Sequence, residues 1–120
     1  MSQLKDIAAH FGAHILKKLN VPSPVKIVLS RNKKGFETYA YYNATADTLH
    51  VYVKNRGTAD VLRSIAHEMV HHKQKLEKRL AKAESIPDVG GPIEDEANAI
   101  AGQLVKAYGK QNKEKYNIYS

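Results

Sequence analysis

Ile65-Ala66-His67-Glu68-Met69-Val70-His71-His72 is the stretch on which the reading of this chain turns. Two histidines stand four apart, a glutamate follows the first, and apolar residues fill the gaps. On an α-helix, residues four apart lie one above the other on the same face. His67 and His71 are therefore expected to aim imidazole nitrogens at one point. Glu68 is rotated by about 100° from His67, which sets its carboxylate beside that point. His-Glu-x-x-His on a helix is a spacing that holds zinc between two imidazoles, with the glutamate within reach of a water. The bland alternative is a helix with two surface histidines and a solvated glutamate.

The helix that carries this stretch is expected to span 58–82, with Thr58 as its cap after Gly57. Val61, Leu62, Ile65, Ala66, Met69 and Val70 give it an apolar side, and beyond His72 it turns polar. Upstream, residues 2–19 read as a helix with Leu4, Ile7, Ala8, Phe11, Ile15 and Leu19 on one face. The run 20–24, with Pro22 and Pro24, ends it. Three strands are expected at 25–29, 36–42 and 48–53. In the third, Leu49, Val51 and Val53 alternate with His50 and Tyr52, so one face is apolar. The connections are short, which makes an antiparallel meander the simplest sheet. Downstream, 85–92 reads as a loop and 93–108 as a third helix, with Gly109 placed to stop it. The expected fold class is α+β. One domain spans 1–109 and a polar tail spans 110–120.

The chain has 120 residues, enough for one core. It has no cysteine, which excludes disulfides, thiolate metal sites and a cysteine nucleophile. No apolar run approaches membrane-spanning length, and the first residues lack the basic start and apolar stretch of a signal peptide. A cytoplasmic protein with no membrane partner is the expectation. The net charge of +7 raises nucleic acid as a partner, but the lysines are spread along the whole chain in pairs, as on solvated helix faces.

Two histidines need a third protein ligand. Glu94-Asp95-Glu96-Ala97-Asn98 opens the third helix after Gly90-Gly91-Pro92. Glu94 and Asn98 are four apart and share a face. Glu94 is the candidate ligand, with Asn98 supporting a ligand histidine. Asp95 and Glu96 compete for the role. Three acids at a helix start also complement the helix dipole with no metal involved.

His67-Glu68-x-x-His71 followed by Glu94-x-x-Ala97-Asn98-x-x-Ala101 resembles the zincin metallopeptidases of the glutamate-ligand (gluzincin) type. Within them it is similar to the ImmA/IrrE-like and other minimal single-domain members, including those of phage. Their second motif is similar to Glu-x-x-Ala-Asn-x-Phe-Ala, and Ile100 stands here at the phenylalanine position. The resemblance covers 25–108. It implies zinc held by His67, His71 and Glu94, and hydrolysis of a peptide or protein substrate by a metal-activated water with Glu68 as general base. It also implies that the third strand is a sheet edge along the cleft, pairing with an extended peptide. A weaker resemblance to the SprT-like proteases lacks their usual third histidine, since none lies downstream of His72.

Other candidates carry less. His72 points away from His71 by about 100° and reads as a surface or supporting residue. His10 and His14 form a second pair one turn apart, and His50 is placed to line the cleft. Arg56, Tyr108, Tyr116 and Tyr119 are available as donors to a developing oxyanion. Two rivals stand beside the enzyme. One is a basic nucleic-acid-associated or regulatory protein that keeps the metal site without cleaving peptides. Salt-dependent DNA binding that survives Glu68→Gln, without proteolysis, is its signature. The other is a partner-binding module using the exposed tyrosines. Finally, the tail 110–120 is a candidate self-inhibitory segment laid in the cleft. Deleting it is then expected to raise peptidase activity, measured as initial rates on a quenched peptide; unchanged or lower rates count against the idea.

Overall fold

The computed structural model describes residues 2–21, 25–32, 39–43, 45–76 and 92–112. Three helices, α1 (Ser2–Lys18), α2 (Thr58–Leu76) and α3 (Pro92–Gln111), accompany three strands, β1 (Lys26–Ser30), β2 (Ala40–Asn43) and β3 (Thr48–Tyr52). The class is α+β, as the sequence predicts. The parts of the second strand and second helix expected at 36–38 and 77–82, the loop 85–91 and the tail beyond 112 lie outside the described residues.

The sheet is mixed, not the meander. Its order is β1-β3-β2. β1 runs parallel to β3, with Ile27 opposite Leu49 and Leu29 opposite Val51. β2 pairs antiparallel with the other side of β3, with Ala40 opposite Val51 and Tyr42 opposite Leu49. The third strand is therefore central and hydrogen-bonded on both sides, which corrects the expectation that it forms the edge. The reason is burial. Leu49 and Val51 are fully buried, so the strand with the strongest apolar alternation takes the slot covered on both flanks. The β2–β3 hairpin brings β3 back between its neighbours. Asn43 Oδ1 accepts from the backbone N–H of Thr45 and Ala46, and Asp47 turns the chain at φ 48°.

α1 and α2 pack on the sheet face that carries Leu49 and Val51, and α3 packs against α2. Ile7, Ala8, Phe11, Ile15 and Leu19 of the first helical segment, together with Val61, Leu62, Ile65, Ala66, Met69 and Val70 of α2, are buried there, as their spacing predicts. Asn20 at φ 56° ends α1, with the N–H of Asn20 on the Lys17 carbonyl and that of Val21 on the Leu16 carbonyl. At the start of α2 the capping carbonyl belongs to Gly57, which accepts from Val61 N–H, so Thr58 is already inside the helix. Arg56 ties the end of β3 to that helix: its guanidinium donates to the carbonyls of Tyr52 and Asp60 and to Ser64 Oγ. Pro92 opens α3, where its missing N–H costs nothing. Gly109 does not stop α3, which continues to Gln111.

Gly12 marks the tightest crossing. A methyl group there would come within 2.7 Å of Ile27 Cδ1 and 3.7 Å of Met69 Cε, so α1 presses against both β1 and α2. Gly12→Val is expected to lower stability by about 1–3 kcal/mol through overpacking, read from urea midpoints. An unchanged midpoint would show that α1 does not close on the sheet here.

Candidate metal centre

α2 delivers His67 and His71 to one side, one turn apart, and the first turn of α3 delivers Glu94 opposite them. His71 Nε2 lies 3.2 Å from His67 Nε2 and 2.8 Å from Glu94 Oε1. His67 Nε2 lies 3.1 Å from Glu94 Oε2. The two imidazole rings are nearly perpendicular, at 88° with centroids 4.7 Å apart. Donors bound at about 2.0–2.1 Å around a tetrahedral zinc stand roughly 3.3 Å from one another. The three separations seen here are close to that spacing, two of them to different oxygens of Glu94. Two neutral imidazoles and a carboxylate are also a donor set that zinc accepts.

Glu68 is buried, and a carboxylate oxygen of it lies within 4.8 Å of a ring nitrogen of each histidine. Two carboxylates thus border the site, in different relations to it. Glu94 bonds both histidines directly, and Glu68 groups with the same two histidines from their own helix. Of the competitors on α3, Asp95 is exposed, and Glu96 instead accepts from Gln74 Nε2 at 3.0 Å.

Burial pushes the His67 imidazole below its usual range, and His71 beside it acts in the same direction. Glu94, a hydrogen bond with Asn98 and a hydrogen bond with Glu94 pull the other way without restoring it. His67 is thus disposed to be neutral at pH 7, the form that binds a metal. Asn98 makes a side-chain hydrogen bond with His67.

Two partners were not legible in advance. Gln74 is fully buried, and its Oε1 lies 2.7 Å from His71 Nδ1. The available signal was its place three residues after His71 on a helix. Tyr42 turns inward from β2. Its hydroxyl donates to Asp47 Oδ1 at 2.8 Å and lies 2.8 Å from His72 Nδ1. Burial first, and then Asp47, push the Tyr42 phenol well above its usual range, so it keeps its proton. Alternation along β2 marks Ala40 and Tyr42 as the inward pair.

The structure moves several candidates away. His72 is fully buried against Tyr42, not on the surface, because it lies where α2 meets the hairpin. His50 faces away from the helices and stacks on Tyr41 at 4.6 Å, so it cannot line a site between α2 and α3. His10 and His14 flank Tyr108, whose hydroxyl lies 2.6 Å from His10 Nδ1. Tyr108 is buried against Phe11, four turns along α3 from Glu94. That position removes it as an oxyanion donor. Arg56 reaches Ser64, one turn before His67 and Glu68 on α2, while its guanidinium also covers the Tyr39 ring at 4.6 Å. Tyr116 and Tyr119 lie outside the described residues.

No protein-family model matches this chain, and no curated protein sequence matches it. Among solved structures it is similar to the metallopeptidase zymogen jannalysin of Methanocaldococcus jannaschii, at 20% identity over 87% of this chain and 88% of that chain. The TM-score is 0.44. Likeness at that level assigns neither ligand nor activity to this chain. Among the described residues no helix is long and apolar enough to cross a membrane.

The lowered His67 and His14 values have a consequence for the metal-free protein. Below about pH 6.5 the unfolded chain takes up protons that the folded chain resists, so stability falls as pH falls. Urea midpoints in the presence of a chelator are expected to hold above that pH and drop below it, with a smaller drop for His67→Asn. Identical profiles for the two proteins would contradict the assignment to His67.

Proposed function

We propose that this chain is a zinc-dependent peptidase of the glutamate-ligand kind. His67, His71 and Glu94 would hold the ion, and Glu68 would be the general base. The observation that carries this reading is the convergence of two imidazole nitrogens and the Glu94 carboxylate within 2.8–3.2 Å of one another, with Glu68 within 4.8 Å of both histidines.

A zinc ion in this site supplies Lewis acidity toward a carbonyl and lowers the pKa of a water to roughly 7. The remaining work belongs to the protein. Glu68 takes a proton from the attacking water and returns it to the leaving amine. Its burial keeps the carboxylate inside the site and away from bulk water. His71 and Glu94 are buried and His67 is half-buried, so the site opens on the His67 side. Asn98 holds the His67 ring in place. With β3 enclosed, β1 and β2 are the edges among the described strands, and β2 is the edge that meets α2 through Tyr42 and His72, one residue beyond His71. An extended peptide adding to that edge would be held by main-chain hydrogen bonds alongside the histidines.

The purified wild type is expected to carry about one zinc per chain and His67→Ala close to none, measured by elemental analysis. Glu68→Gln is expected to keep its zinc and lose roughly 10²–10⁴-fold in kcat on a peptide substrate. Zinc-loaded Glu68→Gln that cleaves as fast as wild type would remove Glu68 from the chemistry. A wild type that takes up no zinc would end the peptidase reading.

A further inference from the structure

Gln74 and Glu96 lie between α2 and α3 beside the proposed zinc site, yet the chemistry above uses neither. We infer that Gln74 is a positioning residue: anchored by Glu96, its side-chain oxygen fixes the proton of His71 on Nδ1 and so turns the Nε2 electron pair toward the point shared with His67 and Glu94. This rests on the proposed function for its meaning, though not for its test.

An inventory of donors and acceptors leads there. An ionised carboxylate only accepts hydrogen bonds, so the group that Glu96 meets at 3.0 Å must be the Gln74 amide nitrogen. A planar amide has one nitrogen and one oxygen, so the atom 2.7 Å from His71 Nδ1 is the oxygen. Oxygen cannot donate there, and Nδ1 must therefore carry the hydrogen. A neutral imidazole has a single N–H, which leaves Nε2 with its lone pair. Nε2 is the atom that lies 2.8 Å from Glu94 Oε1 and 3.2 Å from His67 Nε2.

The alternatives conflict with the surroundings. Moving the imidazole proton to Nε2 would set two acceptors 2.7 Å apart around a fully buried oxygen, whereas the Nε2 lone pair facing Glu94 Oε1 at 2.8 Å makes a donor pair of the kind a cation between them would take. Turning the amide over would press its oxygen against a carboxylate. Metal-binding histidines commonly donate their second ring nitrogen to an oxygen acceptor, which fixes tautomer and ring orientation. Here that acceptor comes from the same helix, three residues on, and α3 holds it in turn. Glu96, a competitor for the third ligand on sequence grounds, thereby gains a different role as the anchor. The same bond ties α3 to α2 two residues from Glu94.

The test uses the full-length chain with nitrogen-15-labelled histidine, metal-free, at about pH 8, above the range where a free imidazole titrates. Long-range proton–nitrogen spectra report which ring nitrogen of His71 carries the hydrogen. The wild type is expected to show Nδ1–H. In Gln74→Leu that signature is expected to be lost or mixed, with zinc affinity weaker by roughly 10–100-fold. The double variant Gln74→Glu/Glu96→Gln keeps an acceptor on His71 and reverses the bond to α3. It is expected to restore the Nδ1–H signature and to bring affinity back to within about threefold of wild type, which loss of packing alone would not do. It also keeps the inference testable should Gln74→Leu fail to fold. Nε2–H in the wild type, an unchanged signature and affinity in folded Gln74→Leu, or a double variant as impaired as Gln74→Leu would each overturn it. Failure of the wild type to bind zinc defeats the peptidase reading alone, since the nitrogen spectra still decide the role of Gln74.

Discussion

A polar seam buried between α2 and α3 sets the constraint on which the rest of the molecule depends. His71, Gln74 and Glu94 are all buried. Each would cost on the order of 1–3 kcal/mol if left without a partner. The two helices must therefore meet where Glu94 reaches both histidines and Gln74 reaches both His71 and Glu96. Sliding α3 by one residue would swing Glu94 away by about 100° and strand every member of the seam. Below the seam, Ala97, Ala101, Val105 and Tyr108 continue the same stripe of α3 as buried apolar contacts. The small alanines let the helices approach closely, and the polar end of the stripe then selects one register.

The sheet contributes from the other side of α2. Because β3 is enclosed, the β2–β3 hairpin reaches past it, and Tyr42 stands over the last turns of α2. Tyr42 bonds Asp47 within the hairpin and His72 on the helix. The hydroxyl has one proton, which it gives to Asp47, so it accepts from His72 Nδ1. His72 adjoins His71 in the chain, so the hairpin and the helix turn bearing the histidines are held as one body. A residue that looks idle in the motif proves to be a structural tie.

Charge is distributed against the overall sign. The chain carries +7, yet the first turn of α3 presents Glu94 and Asp95, with Glu96 next, and Glu68 groups with the two histidines. A cation entering the seam meets the Glu94 and Glu68 carboxylates within a few ångströms, and at such distances local charge outweighs a diffuse net charge screened by salt. The basic balance of the whole chain therefore says little about what this site attracts.

The local elements and the histidine pair were legible in the sequence because both depend on periodicity. The 3.6-residue repeat marks the buried faces of α1 and α2, and the two-residue repeat marks Leu49 and Val51. The same helical repeat places His67 over His71 without knowledge of any other part of the chain. Pairing between distant segments was not legible in that way. The meander expectation failed because strand order depends on which strand gains most from burial on both flanks, a comparison made only when all three compete for the same helix layer. Glu94, Asp95 and Glu96 were interchangeable by composition, and rotation of α3 against α2 is what separates the one touching both histidines from the one exposed and the one bonded to Gln74. Gln74 and Tyr42 take their meaning from the same source: a buried polar atom must find a partner, and only tertiary structure decides which partner lies within reach.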